Sequence, residues 1–157
     1  MADTVSLKRL NQLHPLVKNL AIEAYNEAVK LTPVGVHPFI TQTMRTFEES
    51  DALYAQGRTK PGPIVSNVKG GRSFHNYGLA IDFVNKVNGQ INWTVDANWM
   101  IIVKCFKQRG FKWGGDWTGS LIDYPHFEMS FGLSTLKLLA KHNSNQFIDG
   151  TKFVVIS

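Results

Sequence analysis

The run Ser73-Phe74-His75-Asn76-Tyr77-Gly78-Leu79-Ala80-Ile81-Asp82-Phe83-Val84 sets one carboxylate inside an otherwise apolar strand, seven positions after a histidine. Leu79 to Val87 has strand character, Asn88-Gly89 is the strongest short hairpin signal, and Gln90 to Trp93 reads as the returning strand. An ionised Asp in such a run costs on the order of several kcal/mol unless something positive meets it. A metal ion shared with His75 supplies that charge.

Working outward from this hairpin, residues 58–72 are rich in Gly, Pro and Lys and read as a loop leading to His75. Before the loop, Thr46 and Glu49 form a capping-box signature for a helix through Leu53 and Tyr54 that ends at Gly57. Val36 to Thr43 reads as a strand ending near Arg45. Pro15 to Leu31 carries apolar residues at helical spacing, Leu16, Leu20, Ala24, Ala28 and Leu31, with Pro33 as a stop. After the hairpin, Asp96 caps a helix whose face is Trp99, Ile102, Val103 and Phe106, closed by Gly110. Short strands are predicted at Phe111–Trp113 and Pro125–Met129, around a Gly-rich loop with Asp116 and Trp117. A helix over Leu133–His142 and a strand over Lys152–Ile156 complete the chain. Hairpin-paired strands interleaved with helices predict a small α+β domain with a central, mainly antiparallel sheet flanked by helices.

The 157 residues contain no repeat and no low-complexity linker, so residues 1–157 read as a single domain. Hydrophobic residues make up 43%, charged residues 18%, which excludes wholesale disorder. No stretch approaches a membrane span, and the first ten residues lack the apolar core of a secretory signal. The lone Cys105 lies in Ile101-Ile102-Val103-Lys104-Cys105-Phe106 and reads as part of a core helix. A net charge of +5 suits a polyanionic partner: nucleic acid, an anionic wall polymer or a membrane surface. The basic residues are scattered, however, and no run resembles a nucleic-acid arm.

A second compact run, Asp123-Tyr124-Pro125-His126-Phe127, offers another histidine and another carboxylate. His75, Asp82 and His126 supply the three-ligand His and carboxylate set of a catalytic zinc site, which keeps a fourth position for water. Zinc lowers the pKa of water toward ~7 and polarises a carbonyl. Asp123, three residues before His126, is placed to act as general base and then general acid. Arg45 is the candidate for stabilising an oxyanion, against a plain surface pairing with Glu48 or Glu49. Trp113 and Trp117 read equally as groove-lining or packing residues, Gln42 and Gln56 as candidate substrate contacts, and Glu128 as a surface residue or a partner behind the ligands. His14, His37 and His142 fall outside these motifs.

Ser73-x-His75-x-x-Gly78-x-Ala80-x-Asp82, Trp113-Gly114-Gly115-Asp116-Trp117 and Asp123-Tyr124-Pro125-His126-Phe127 together resemble zinc peptidases of the D-alanyl-D-alanine carboxypeptidase and L-alanyl-D-glutamate endopeptidase group. The likeness is to the L-alanyl-D-glutamate endopeptidase domains of phage endolysins and related autolysins. Ile40-Thr41-Gln42-Thr43-Met44-Arg45 and Leu53-Tyr54-Ala55-Gln56-Gly57-Arg58-Thr59-Lys60-Pro61-Gly62 share it. The resemblance implies zinc on His75, Asp82 and His126 in a cleft on the sheet, Asp123 as catalytic acid/base, Arg45 assisting the carbonyl or oxyanion, and Ser73 orienting substrate or ligand. It implies cleavage of the stem peptide of peptidoglycan between L-alanine and D-glutamate. A D,D-carboxypeptidase of the same family and a non-catalytic, metal-stabilised wall-binding module are the alternatives. The expected partners are the stem peptide and an anionic wall polymer, with no nucleic acid and no membrane insertion. The expected setting is a phage endolysin held in the host cytoplasm until its release to the wall, with no separate wall-binding domain.

Overall fold

Ala80–Val87 is the central strand, β2, in a computed structural model that describes residues 1–157. Strand β1 (Val36–Gln42) lies along one edge of β2. The other edge is shared: β3 (Gln90–Asn92) pairs with Asn85 to Val87, and β5 (His126–Glu128) pairs with Ala80 to Asp82. β4 (Lys112–Trp113) extends the sheet beyond β5, and every pairing is antiparallel. The hairpin turn sits at Asn88 and Gly89, both with positive φ, as a two-residue turn that matches strand twist requires.

Residues opposite one another in antiparallel strands share a face, and faces alternate along each strand, so the register assigns both sides of the sheet. Ile40, Ile81, Phe83 and Phe127 take one side and are fully buried. There Phe83 packs on Phe127 at 5.3 Å and on Trp99 at 4.4 Å, and Phe106 on Phe127 at 4.6 Å between centroids. Burying each such ring contributes about 1.5–3 kcal/mol. Trp99 and Phe106 belong to α4 (Ala97–Lys107), whose first turn is capped by the Asp96 carboxylate accepting from Trp99 N. Behind it runs α2 (Pro15–Leu31), packed on α4 and β1. Gln42, Asp82 and His126 take the opposite side, as a row across three strands. Asp82 thus interrupts the apolar run because it faces the other way from Ile81 and Phe83.

Helix α3 (Phe47–Ala55) has the full capping box, with Thr46 and Glu49 each bonding the other's backbone N–H. Helix α5 (Thr135–Asn143) sends Leu138 into the same core. Three expectations change. The apolar stripe of α2 keeps Ala24 and Ala28, which are buried as expected, but Val17, Ala21 and Tyr25 are buried beside them while Leu16 and Leu31 are about half exposed. Lys152–Ile156 is not a strand, and only Val154 forms a bridge, to Phe147. Finally, a short helix absent from the sequence reading, α1 (Thr4–Leu10), is capped by Asp3 and covers the free edge of β1. Ser6 Oγ accepts from Ile40 N, Arg9 Nη1 donates to Ile40 O at 2.6 Å, and Thr43 Oγ1 donates to Arg9 O. Asp3 also takes donors from Tyr25 and His37. Its carboxyl is held well below the usual range, because these hydrogen bonds outweigh the opposing effect of burial.

Candidate metal centre

His75 reaches the open side of the sheet from a single 3-10 turn, Phe74–Tyr77, and Asp82 and His126 reach it from facing positions on β2 and β5. The Ser73 hydroxyl accepts from His75 N at 3.2 Å and caps that turn. Gly78 closes it at φ 68°, where a Cβ would lie 2.7 Å from His14 N. One ligand atom from each of His75, Asp82 and His126 falls within 4.8 Å of the others, which suits one metal ion. All three are largely shielded, with side-chain exposures of 5%, 25% and 11%.

Hydrogen bonds settle which nitrogens face inward. His75 Nδ1 lies 2.7 Å from the Thr43 carbonyl, which only accepts, so Nδ1 carries a hydrogen and Nε2 turns to Asp82 Oδ2 at 3.3 Å. His126 stands between two acceptors, with Nε2 2.8 Å from Glu128 Oε1 and Nδ1 3.0 Å from Asp82 Oδ1, so the protonated ring donates to both and Nδ1 is the nitrogen on the Asp82 side. With a metal in place of the proton on His126 Nδ1, His75 Nε2 and His126 Nδ1 would both present lone pairs beside the Asp82 carboxylate. Burial lowers the His126 pKa, but the hydrogen bonds from Asp82 and Glu128 overcome this and push it up to about 9. Burial likewise raises Asp82, and the two histidines more than reverse it, holding the carboxyl far below its usual range. The group is built to surround positive charge.

Glu128, read from sequence mainly as a surface residue, is in fact 13% exposed at the side chain and backs His126. The signal was present: Phe127 enters the core, so its neighbours His126 and Glu128 must share the open side. Such a carboxylate fixes ring orientation and raises ligand basicity. Glu128→Gln is expected to weaken metal affinity about 10–100-fold while secondary structure is retained, as read by competition against a chromogenic chelator.

Asp123 stands at the solvent-exposed rim on a tightly held loop. Its N–H donates to Gly114 O at 3.0 Å and its carbonyl accepts from His126 N at 3.2 Å. The next carbonyl, Tyr124 O, accepts from both Trp113 Nε1 (2.7 Å) and Trp99 Nε1 (3.3 Å), and Pro125 O accepts from Phe83 N. A Cβ on Gly114 would lie 2.2 Å from Asp123 O, so only glycine lets the two segments meet. Partial desolvation raises the Asp123 pKa and the charges of Asp82 and Glu128 add to it, outweighing the pull of the histidines.

Arg45 meets neither Glu48 nor Glu49. Its Nε is buried without a hydrogen-bond partner, while its backbone N donates to His75 O at 3.0 Å. Asn76 ties the arm to the turn: Nδ2 donates to Arg45 O, Thr46 O and Ser50 Oγ, and Oδ1 accepts from Gly71 N and Ser73 N. Trp117 lies 5.4 Å from the His126 ring, whereas Trp113 is buried and serves as an anchor. Gln42 is opposite Asp82, with its amide donating to Met44 O. Gln56 donates instead to Pro63 O within the 58–72 loop and makes no contact with the histidines. His14, His37 and His142 all lie outside the site: His14 bonds Val154 O, His37 bonds Asp3, and His142 packs on Phe47.

Residues 66–129, which include the His–Asp–His group, Asp123 and Glu128, match the family described as D-alanyl-D-alanine carboxypeptidase. The chain is 44% identical over 130 residues to the peptidoglycan L-alanyl-D-glutamate endopeptidase CwlK of Bacillus subtilis (strain 168), covering 76% of this chain and 74% of that protein. The chain belongs to this metallopeptidase family. It is also 31% identical over 100 residues to the L-alanyl-D-glutamate peptidase of Listeria phage A118, covering 62% of this chain and 32% of the relative. The crystal structure of the Serratia marcescens L-Ala D-Glu endopeptidase ChiX superposes with a TM-score of 0.60 at 22% identity, over 82% of this chain and 88% of that one, and so shares the α+β fold.

Proposed function

We propose that this family member is a zinc-dependent endopeptidase that cuts the L-alanyl-D-glutamate bond in the stem peptide of peptidoglycan. The observation that carries this reading is the convergence of His75 Nε2, Asp82 and His126 Nδ1 on one point, beside the rim that holds Asp123. Zinc bound there supplies a Lewis acid that lowers the pKa of water toward ~7 and polarises a carbonyl. Asp123 takes the proton of the attacking water and returns it to the leaving amine, a task suited to a carboxyl whose pKa is raised toward the working pH. Arg45, with a buried and unpartnered Nε, offers its guanidinium to the developing oxyanion. Thr43 and Glu128 hold the histidine rings in the tautomers that ligation needs.

The endopeptidase name of the Bacillus relative supports this bond over the terminal D-alanine, and the phage relative supports lysis of a host wall as the setting. The net charge of +5 suits an anionic wall. Digestion of purified peptidoglycan, with mass-spectrometric identification of the new termini, tests the activity. The expected products carry a new D-glutamate amino terminus and disappear with a chelator. Release of D-alanine alone would mean a D,D-carboxypeptidase, and no cleavage with zinc retained would mean a binding module.

A further inference from the structure

Past the metal centre the same side of the sheet is filled by Val84, which is fully buried, and is partly exposed again at Phe39 and Lys86. Val84 follows Asp82 on the same side of β2, about 7 Å further along at ~3.3 Å per residue, and Phe39 lies opposite it on β1. Cations flank Phe39: Lys86 Nζ lies 3.8 Å and the Arg9 guanidinium carbon 5.4 Å from its ring centroid. Neither cation has a carboxylate partner, although Arg109 and Lys107 elsewhere do. Arg9 is fixed by its bond to Ile40 O, so its position is set by the fold and not by a ligand.

We propose that Arg9 and Lys86, resting on Phe39, form a subsite for the carboxylate-bearing segment downstream of the scissile bond. The inference rests on the endopeptidase reading above. Chemistry gives the direction: upstream of L-alanine the stem is joined to sugar through a neutral amide, whereas the carboxylates lie on D-glutamate and the residues after it. An extended peptide spans about 3.3–3.6 Å per residue, so one or two residues bridge the distance from metal to Phe39. Paired with carboxylate, the cations align the peptide along β2 and leave the reacting groups untouched, so the subsite acts on KM.

The test compares two synthetic substrates, N-acetyl-L-Ala-γ-D-Glu-L-Lys as the free acid and as its C-terminal amide, with the zinc-loaded wild-type chain, Lys86→Gln and the double variant Arg9→Gln/Lys86→Gln. Lys86→Gln spares the Arg9 bond to Ile40 and guards against misfolding of the double variant. For the wild type, KM is expected to be about three- to tenfold lower for the acid than for the amide, and the gap should shrink with salt. Lys86→Gln should narrow the gap and the double variant close it, with kcat within about twofold throughout. An unchanged acid-to-amide ratio in both variants overturns the subsite and leaves the endopeptidase reading standing. Failure of the wild type to cut either peptide overturns the endopeptidase reading itself, and the subsite with it.

Discussion

Asp123→Asn is expected to lower kcat by about 10²–10⁴-fold, the usual worth of a positioned general acid or base, with zinc content and fold unchanged. The side chain is exposed and its carboxylate makes no hydrogen bond, so removing its charge strips nothing from the core. The loop remains in place because it is held by backbone: Gly114 O, His126 N and the two indoles on Tyr124 O. Asn keeps the shape and loses the ability to move a proton. The check is a hydrolysis assay alongside metal analysis and a thermal melt. A variant that still cuts at more than about a tenth of the wild-type rate would remove Asp123 from the chemistry; a variant that loses its metal would make it a ligand.

Asp82→Asn acts on a different link, the charge balance of the centre. Asp82 is the carboxylate both histidines face, at 3.3 and 3.0 Å, and an amide in its place offers the metal no anionic ligand. Metal content is expected to fall to background and hydrolysis with it. The wild-type melting temperature should rise with zinc and fall with chelator, as for any ligand that binds the native state alone, whereas the variant should respond to neither. In the wild type, an ion must displace the proton that His126 otherwise holds up to about pH 9. Apparent affinity should therefore climb by up to about tenfold per pH unit below that point. Tight zinc binding by the variant would show that the ion lies elsewhere.

Much of this architecture is legible in the sequence because local chemistry agrees with the final packing. Thr46 with Glu49, Asp96 and Asn88-Gly89 each marked an element boundary through a specific hydrogen bond or backbone conformation, and each does so in the fold. The stripe of α2 was harder. Ala24 and Ala28 lie on the buried side as the spacing predicts, but Leu outranks Ala on any hydrophobic scale, and Ala21 rather than Leu16 or Leu31 occupies the side where α2 approaches its neighbours, because small residues permit that approach. Lys152–Ile156 has strand-forming residues but gains only the single Val154 bridge, so propensity found no ladder to join. Helix α1 was hidden because seven residues make a weak periodic signal, and what stabilises it is tertiary: Asp3, Ser6 and Arg9 docking on β1 and Tyr25.

In the candidate site, His75, Asp82 and His126 could be grouped by residue type alone, while their inward-facing nitrogens could not. That detail depends on Thr43 O and Glu128, which approach from elements whose pairing the sequence does not state. Gln56 illustrates the reverse case, a polar side chain near a conspicuous motif that is engaged in holding its own loop.

Anomalous diffraction from crystals of the zinc-loaded protein tests the central claim most directly. A single strong peak at about 2.0–2.2 Å from His75 Nε2, His126 Nδ1 and an Asp82 oxygen, with Glu128 still on His126 Nε2, is the expected result. A peak elsewhere, or a His126 ring turned to ligate through Nε2, would contradict it.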